Sequence, residues 1–141
     1  MTPSRRAFLK SAGAGLAAPL AASALQTGSK IRFAVIGAGS RGQAHLRAIN
    51  EILDIEVVAV CDLNQRRLEQ GATLARTRPE TYTDYRKALE RSDVDAVIIV
   101  VPDHLHAEMA GAAFRAGKHV LTEKPMATTL ADADAMSAAA A

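Results

Sequence analysis

An α/β fold built on a doubly wound parallel sheet is what this sequence predicts, and three observations predict it. Short, almost wholly apolar runs recur along the chain, and Ala96–Val101, AVIIVV, is the strongest of them. Helix-forming segments with capping residues separate these runs. The runs carry few polar positions, as expected of parallel strands covered by helices on both faces.

The elements follow in order. Ile31–Ile36 is a β-branched run that stops at glycine and reads as a buried strand. Ser40 can cap a helix running through His45, Leu46 and Ile49 to about Ile52. Glu56–Cys61 is a second buried strand, closed by Asp62. Asn64 can cap a helix through Leu68, Ala72 and Leu74, with Pro79 beyond its end. Glu80–Tyr82 fits a weak edge strand, and a short helix should run from Asp84 to about Arg91. After the Ala96–Val101 strand, Pro102 breaks the run, Asp103 can cap a helix to Ala116, and Gly117 can stop it. His119–Thr122 is a further strand. Thr128 or Thr129 opens a last helix, whose alanine-rich Ala135–Ala141 tail has no glycine cap and reads as an interrupted helix.

Composition narrows the functional classes. The chain has 141 residues, 49% of them hydrophobic, enough for one domain with a real core. Its formal charge is +2, but Arg5, Arg6 and Lys10 stand in a leader without acids, so the remainder is slightly acidic. Such a body, with no Trp and few Tyr or Phe, is a poor nucleic-acid binder. The single cysteine, Cys61, excludes an internal disulfide and reads as a small buried strand residue. No apolar run reaches the roughly 20 residues of a membrane span. Neither a metal-ligand cluster nor an internal repeat is visible.

The leader has the layout of a secretory signal. Residues 1–10 are basic, Ser11–Ala21 are mildly apolar, and Ala22-Ser23-Ala24 has the small-x-small pattern of a cleavage site. Gly13, Gly15 and Pro19 weaken the alternative of a helix belonging to the fold. The stretch Ser4-Arg5-Arg6-Ala7-Phe8-Leu9-Lys10 resembles the twin-arginine (Tat) signal, which directs folded proteins to export. The expected organisation is a signal peptide at 1–24, a linker at 25–30 and a dinucleotide-binding domain at 31–141. The expected location is periplasmic or otherwise outside the cytoplasm, after passage through the Tat machinery, with a mature N-terminus near Leu25.

Gly37-Ala38-Gly39-Ser40-Arg41-Gly42 is a GxGxxG directly after a strand and at the start of a helix. Gly37 permits the tight turn, Gly39 lets the backbone approach a pyrophosphate, and Gly42 lets the helix sit close to the strand. The first-turn amides and the helix dipole favour phosphate. Asp62, at the end of the second strand, is placed to accept ribose hydroxyls and to repel a 2′-phosphate, which favours NAD over NADP. This makes the expected sheet Rossmann-type. Arg66 could stack on adenine or be an exposed helix cation.

Two later loops arrive at the same sheet edge. In Val101-Pro102-Asp103-His104-Leu105-His106, two histidines two apart on a helix would diverge by about 200°, which disfavours chelation. Asp103 reads as an N-cap and His104 as a solvated first-turn residue, while His106 is open between core packing and cofactor contact. In Thr122-Glu123-Lys124-Pro125-Met126, Lys124 could present an ammonium to a substrate oxygen, or Glu123 and Lys124 could form a solvated turn.

The segments GAGSRG and VPDHLHAEMAGAAFRAGKHVLTEKPMA, with the Asp62 strand end, resemble the N-terminal half of the Gfo/Idh/MocA oxidoreductases, relatives of glucose–fructose oxidoreductase and inositol dehydrogenase. The resemblance runs from about Lys30 to the chain end. It implies that Lys124 lies beside the nicotinamide and the reacting carbon, and that Pro102 and His106 line the cofactor pocket. With the glycine turn, the cofactor-binding set becomes Gly37, Gly39, Ser40, Arg41, Gly42, Asp62, Arg66, Pro102, His106, Glu123 and Lys124. It also implies a sugar, polyol or related secondary alcohol as substrate, and family members often form homo-oligomers. The family continues into a C-terminal α/β substrate domain with an essential histidine that none of the four histidines here matches. The chain is therefore expected to be truncated before that domain. Redox-assisted glycoside cleavage is an alternative, against which Lys124 speaks, because the exported glycosidase relatives usually lack that lysine. A non-catalytic NAD-binding module is the other.

Overall fold

The computed structural model of the protein describes residues 30–141. The expected signal peptide, its cleavage site and most of the linker lie outside the described residues. Five strands, β1 (Ile31–Ile36), β2 (Ile55–Cys61), β3 (Glu80–Tyr82), β4 (Ala96–Ile99) and β5 (His119–Thr122), form one sheet in the order β3-β2-β1-β4-β5. Every pairing is parallel. Five helices, α1 (Ser40–Ile49), α2 (Gln65–Leu74), α3 (Tyr85–Leu89), α4 (His106–Arg115) and α5 (Leu130–Ala140), connect or follow the strands. A 3-10 turn, Asp103–Leu105, precedes α4.

Because side chains alternate across a strand, the apolar runs feed two cores at once. Val35, Val57, Val60 and Ile98 meet Leu46 and Ile49 of α1 and Leu68 of α2 on one face. Ala34, Ile36, Cys61, Val97 and Ile99 meet Leu89 of α3, Ala110 and Ala113 of α4, and Met136 of α5 on the other. The doubly wound expectation is thus met with helices on both faces. The chain builds outward from β1 to β3, then returns to β4, so the order reverses between β1 and β4. In such sheets the crevice beyond the strand carboxyl ends at that reversal is the ligand-binding place.

The caps show where local chemistry prevails and where it yields. The Asn64 side chain accepts from the Arg67 amide, and Thr129, rather than Thr128, caps α5 by accepting from Asp132. At the end of α4, Gly117 takes φ +70°, and Lys118 N–H and Gly117 N–H reach back to the carbonyls of Ala113 and Phe114. Those two bonds satisfy carbonyls the helix end would leave free.

Two caps expected from the sequence differ. Ser40 is the first helical residue of α1, and the extended residue before it is Gly39, with no side chain capping the helix. Asp103 caps nothing. Pro102 instead accepts from the Leu105 amide, tightening the chain into the 3-10 turn, so α4 begins at His106. Three further elements are shorter than expected. α1 ends at Ile49, where Asn50 turns to bond the Leu74 carbonyl. α3 ends at Leu89. β4 ends at Ile99, level with the point where β1 turns away at Gly37. Among the described residues no helix is long and apolar enough to cross a membrane.

Candidate dinucleotide site

The register aligns Tyr82, Cys61, Ile36, Ile99 and Thr122 in a single row across the sheet. The next residue of each strand is therefore Thr83, Asp62, Gly37, Val100 or Glu123, and together they rim the carboxyl edge. Four of these five still donate backwards: Gly37 to Cys61, Asp62 to Tyr82, Val100 to Ile36 and Glu123 to Ile99. The rim is consequently an extension of the sheet, stiff where a ligand would rest.

A cavity of about 580 Å³ opens on this rim, lined by Gly37, Gly39, Asp62, Thr83, Val100 and Pro102 among others. Gly37 turns the chain at φ +97°, and a Cβ there would collide with the Val100 carbonyl oxygen. A Cβ on Gly42 would strike the Gly37 carbonyl, so α1 approaches the turn as closely as the backbone allows. A Cβ on Gly39 meets nothing within 4 Å. The tightness around Gly37 and Gly42 and the open space at Gly39 fit a backbone cradle for phosphate. The uncapped α1 N-terminus adds amides with no side-chain acceptor.

Asp62 is oriented by backbone amides on both sides. Its Oδ2 accepts from Ala38 N–H at 2.8 Å and its Oδ1 from Asn64 N–H at 2.8 Å. Each carboxylate oxygen keeps a further lone pair for a hydroxyl. The two amides come from the phosphate turn and from the entry to α2, so this carboxylate fixes both walls of the crevice. Cys61 beside it is buried, and burial followed by the charges of Asp62 and Asp84 pushes its thiol up to about 12. It is a packing residue, protonated at neutral pH and poor as a nucleophile or metal ligand.

Several site residues move relative to the sequence reading. Arg66 does not line the cavity; it lies in a shallow groove with Gln43, Arg47 and Glu69 between α1 and α2. Arg67 lines the cavity instead. One residue turns a helix by about 100°, and the Asn64 cap fixes which of the two arginines faces the crevice. The sequence reading places the start of α3 at Asp84, as found, but does not assign that segment to the site. Thr83, Asp84, Tyr85 and Arg86 line the same cavity, with the Arg86 guanidinium 4.6 Å from the Tyr85 ring centre. The available signal was Asp84, whose side chain caps α3 through the Arg86 amide and so starts that helix level with the strand ends.

His106 does not line the cavity either. It is 1% exposed, with Nδ1 2.8 Å from the Pro125 carbonyl and Nε2 2.9 Å from the Val101 carbonyl. Through these two contacts it joins the loops after β4 and β5. Pro102 lines the cavity.

Ser40, Arg41 and Gly42 open α1, and Glu123 and Lys124 follow β5, outside the cavity lining. Glu123 Oε1 accepts from Arg41 Nε at 2.6 Å and lies 2.7 Å from His45 Nε2. Lys124 is exposed, and among the described residues its Nζ has no hydrogen-bond or ion-pair partner. No group of three or more metal-binding side chains occurs among the described residues. The hydrogen bonds from Arg41 first, then His45, hold the Glu123 carboxyl well below the usual range, at about 2. A depressed acid adds stability above its unfolded pKa of about 4.3 and loses it as pH falls through the folded value. Carboxyl 13C NMR should therefore find Glu123 still ionised at pH values where exposed glutamates are half protonated. A midpoint of about 4.3 would show the contacts absent in solution.

Residues 31–141 match the model of an oxidoreductase family, GFO_IDH_MocA, described by its NAD-binding Rossmann fold. A 4-carboxy-2-hydroxymuconate-6-semialdehyde dehydrogenase from Sphingobium sp. is 42% identical over 108 residues, 75% of this chain and 33% of that protein. A myo-inositol dehydrogenase from Lactobacillus casei, solved with NAD(H) and myo-inositol, superposes with TM-score 0.74 at 31% identity, covering 79% of this chain and 33% of that one. A 3-ketoreductase from Actinomadura kijaniata, solved with NADP and TDP-benzene, superposes with TM-score 0.73 at 37% identity, covering 79% of this chain and 34% of that one. The chain spans about a third of the length of the curated relatives it matches.

Proposed function

This chain belongs to the Gfo/Idh/MocA oxidoreductase family with its NAD-binding Rossmann fold, and from that premise we propose that it is the cofactor-binding part of an exported oxidoreductase acting on a secondary alcohol of a sugar or polyol. The observation that carries the reading is the Asp62 carboxylate, held by two backbone amides on the wall of the glycine-turn cavity. Gly37, Gly39 and the α1 amides would receive the pyrophosphate. Asp62 would receive the adenosine ribose hydroxyls and, by its charge, favour NAD over NADP. Bound NAD supplies the hydride acceptor.

Lys124 contributes the ammonium that polarises the substrate oxygen, and its exposed Nζ, without a partner among the described residues, supports that role. We assign no general base within the described residues. His106 is buried against two carbonyls, and Glu123 is engaged by Arg41 and His45. The twin-arginine leader supports export, and NAD, made inside cells, is a reason to fold first.

NADH fluorescence should show saturable binding by this chain, and turnover on a panel of sugars and polyols, followed by NADH absorbance, should appear in the complete protein of which it is proposed to be the cofactor-binding part. Lys124→Met should leave NADH affinity nearly unchanged and lower kcat by about 10²–10³. No NADH binding, or an unchanged kcat, would remove the reading. Binding without any turnover would favour the non-catalytic module, and sugar release without net NADH change the glycoside-cleaving alternative. N-terminal sequencing of secreted protein should begin near Leu25; a start at Met1 would remove the export.

A further inference from the structure

The turn after β5 is held from both faces of the sheet. Arg41 and His45, four residues apart on α1, share one helix face and converge on one oxygen of Glu123. The other oxygen accepts from the Lys124 amide at 3.3 Å. On the far side His106, the first residue of α4, meets the carbonyl of Pro125. Lys124 thus sits between two anchored neighbours while its own side chain reaches solvent. The charges are arranged to keep it so. An isolated Glu123 carboxylate next to Lys124 would draw the ammonium to itself; with Arg41 and His45 on Oε1, that carboxylate is occupied. The Glu123 side chain is 14% exposed, against 67% for Arg41, so the carboxylate is the inner partner.

We propose that Glu123 is a positioning residue for Lys124, clasped by Arg41 and His45 so that the helix receiving the cofactor phosphates also sets the place of the substrate-facing ammonium. The proposal rests on the reading of Lys124 as that ammonium. It makes the phosphate end and the hydride end of the site parts of one mechanical unit. Phosphate loading at the start of α1 is felt there at Arg41 and one turn later at His45, and through them at Lys124. A mere surface ion pair would add little to overall stability and nothing at Lys124.

The test uses amide exchange and 15N relaxation at Lys124 in the 141-residue chain, with and without NADH. The variants are Glu123→Gln, Glu123→Asp, the double change Arg41→Ala with His45→Ala, and Arg47→Ala as a control on the same helix. The double change is decisive because Arg41 and His45 bond Glu123 and neither side chain hydrogen-bonds Lys124. It and Glu123→Gln should each speed Lys124 amide exchange roughly ten-fold by local opening while the rest of the sheet keeps its protection. Glu123→Asp should recover part of the protection, and Arg47→Ala should leave it as in the parent. NADH should slow exchange at Lys124 in the parent chain and fail to do so in Glu123→Gln. Unchanged Lys124 exchange in the double variant, or loss of protection spread evenly over the sheet, would overturn the clasp. Absence of NADH binding in the parent chain would instead overturn the cofactor reading, and the comparison of ligand-free chains would still decide the clasp.

Discussion

Gly37→Ala is expected to lose about 2–6 kcal/mol of stability, a large part of what a domain of this size possesses. Two costs add. At φ +97° any side chain is strained, by about 1–3 kcal/mol. The new Cβ would also enter the Val100 carbonyl oxygen, with Val101 Cγ1 at 3.3 Å, and overpacking costs about another 1–3 kcal/mol. Neither partner can readily retreat. Gly37 N–H is bonded to the Cys61 carbonyl at 2.7 Å, and Val100 N–H to the Ile36 carbonyl at 2.8 Å, so relief at one breaks the sheet at the other. The urea midpoint should fall sharply, with unchanged steepness if the native state persists. Gly39→Ala is the matched control: its Cβ meets open space, so stability should hold while NADH affinity drops. A Gly37→Ala midpoint equal to the parent's would mean that the turn is looser than its geometry.

The parts of this fold that were legible in the sequence are those governed by burial and by backbone rules. β1, β3 and β5 have the expected bounds, and Asn64 and Gly117 act as expected, because apolar runs, cap side chains and positive φ each leave a local signature. The errors arise where a local preference met a tertiary demand. Ser40 is a good capping residue, but Gly42 must lie against the Gly37 carbonyl, and that packing starts the helix one residue early. Asp103 follows a proline whose carbonyl is already the acceptor for Leu105. Arg66 and Arg67 are chemically alike, and only helix phase separates them. His106 could not be settled from sequence, because its two carbonyl partners belong to loops 19 and 5 residues away. Glu123 read as a solvated turn residue or cofactor contact because its partners are 82 and 78 residues distant.

The proposed preference for NAD rests on Asp62, and two substitutions separate the roles of that residue. Asp62→Ala should weaken NADH binding by roughly 10–100-fold, since hydrogen bonds to a charged group contribute about 1.5–3 kcal/mol. It should also destabilise the turn, because Ala38 is fully buried and its N–H would lose its acceptor. Asp62→Asn removes the charge but can keep an acceptor toward Ala38. Its amide nitrogen would then face Asn64 N–H, donor against donor, at the exposed and less costly position. The asparagine variant should therefore keep most of its stability and lose chiefly selectivity. On that proposal the parent carboxylate would oppose a 2′-phosphate carrying nearly two negative charges, and its neutral replacement would not. Paired NADH and NADPH titrations should show a clear NADH preference in the parent that narrows in Asp62→Asn, with Arg67 on the same wall then available to the phosphate. Equal affinities in the parent, or an unchanged ratio in the asparagine variant, would take discrimination away from Asp62. The amide-held carboxylate would then be a fastener of the phosphate turn to α2 and nothing more.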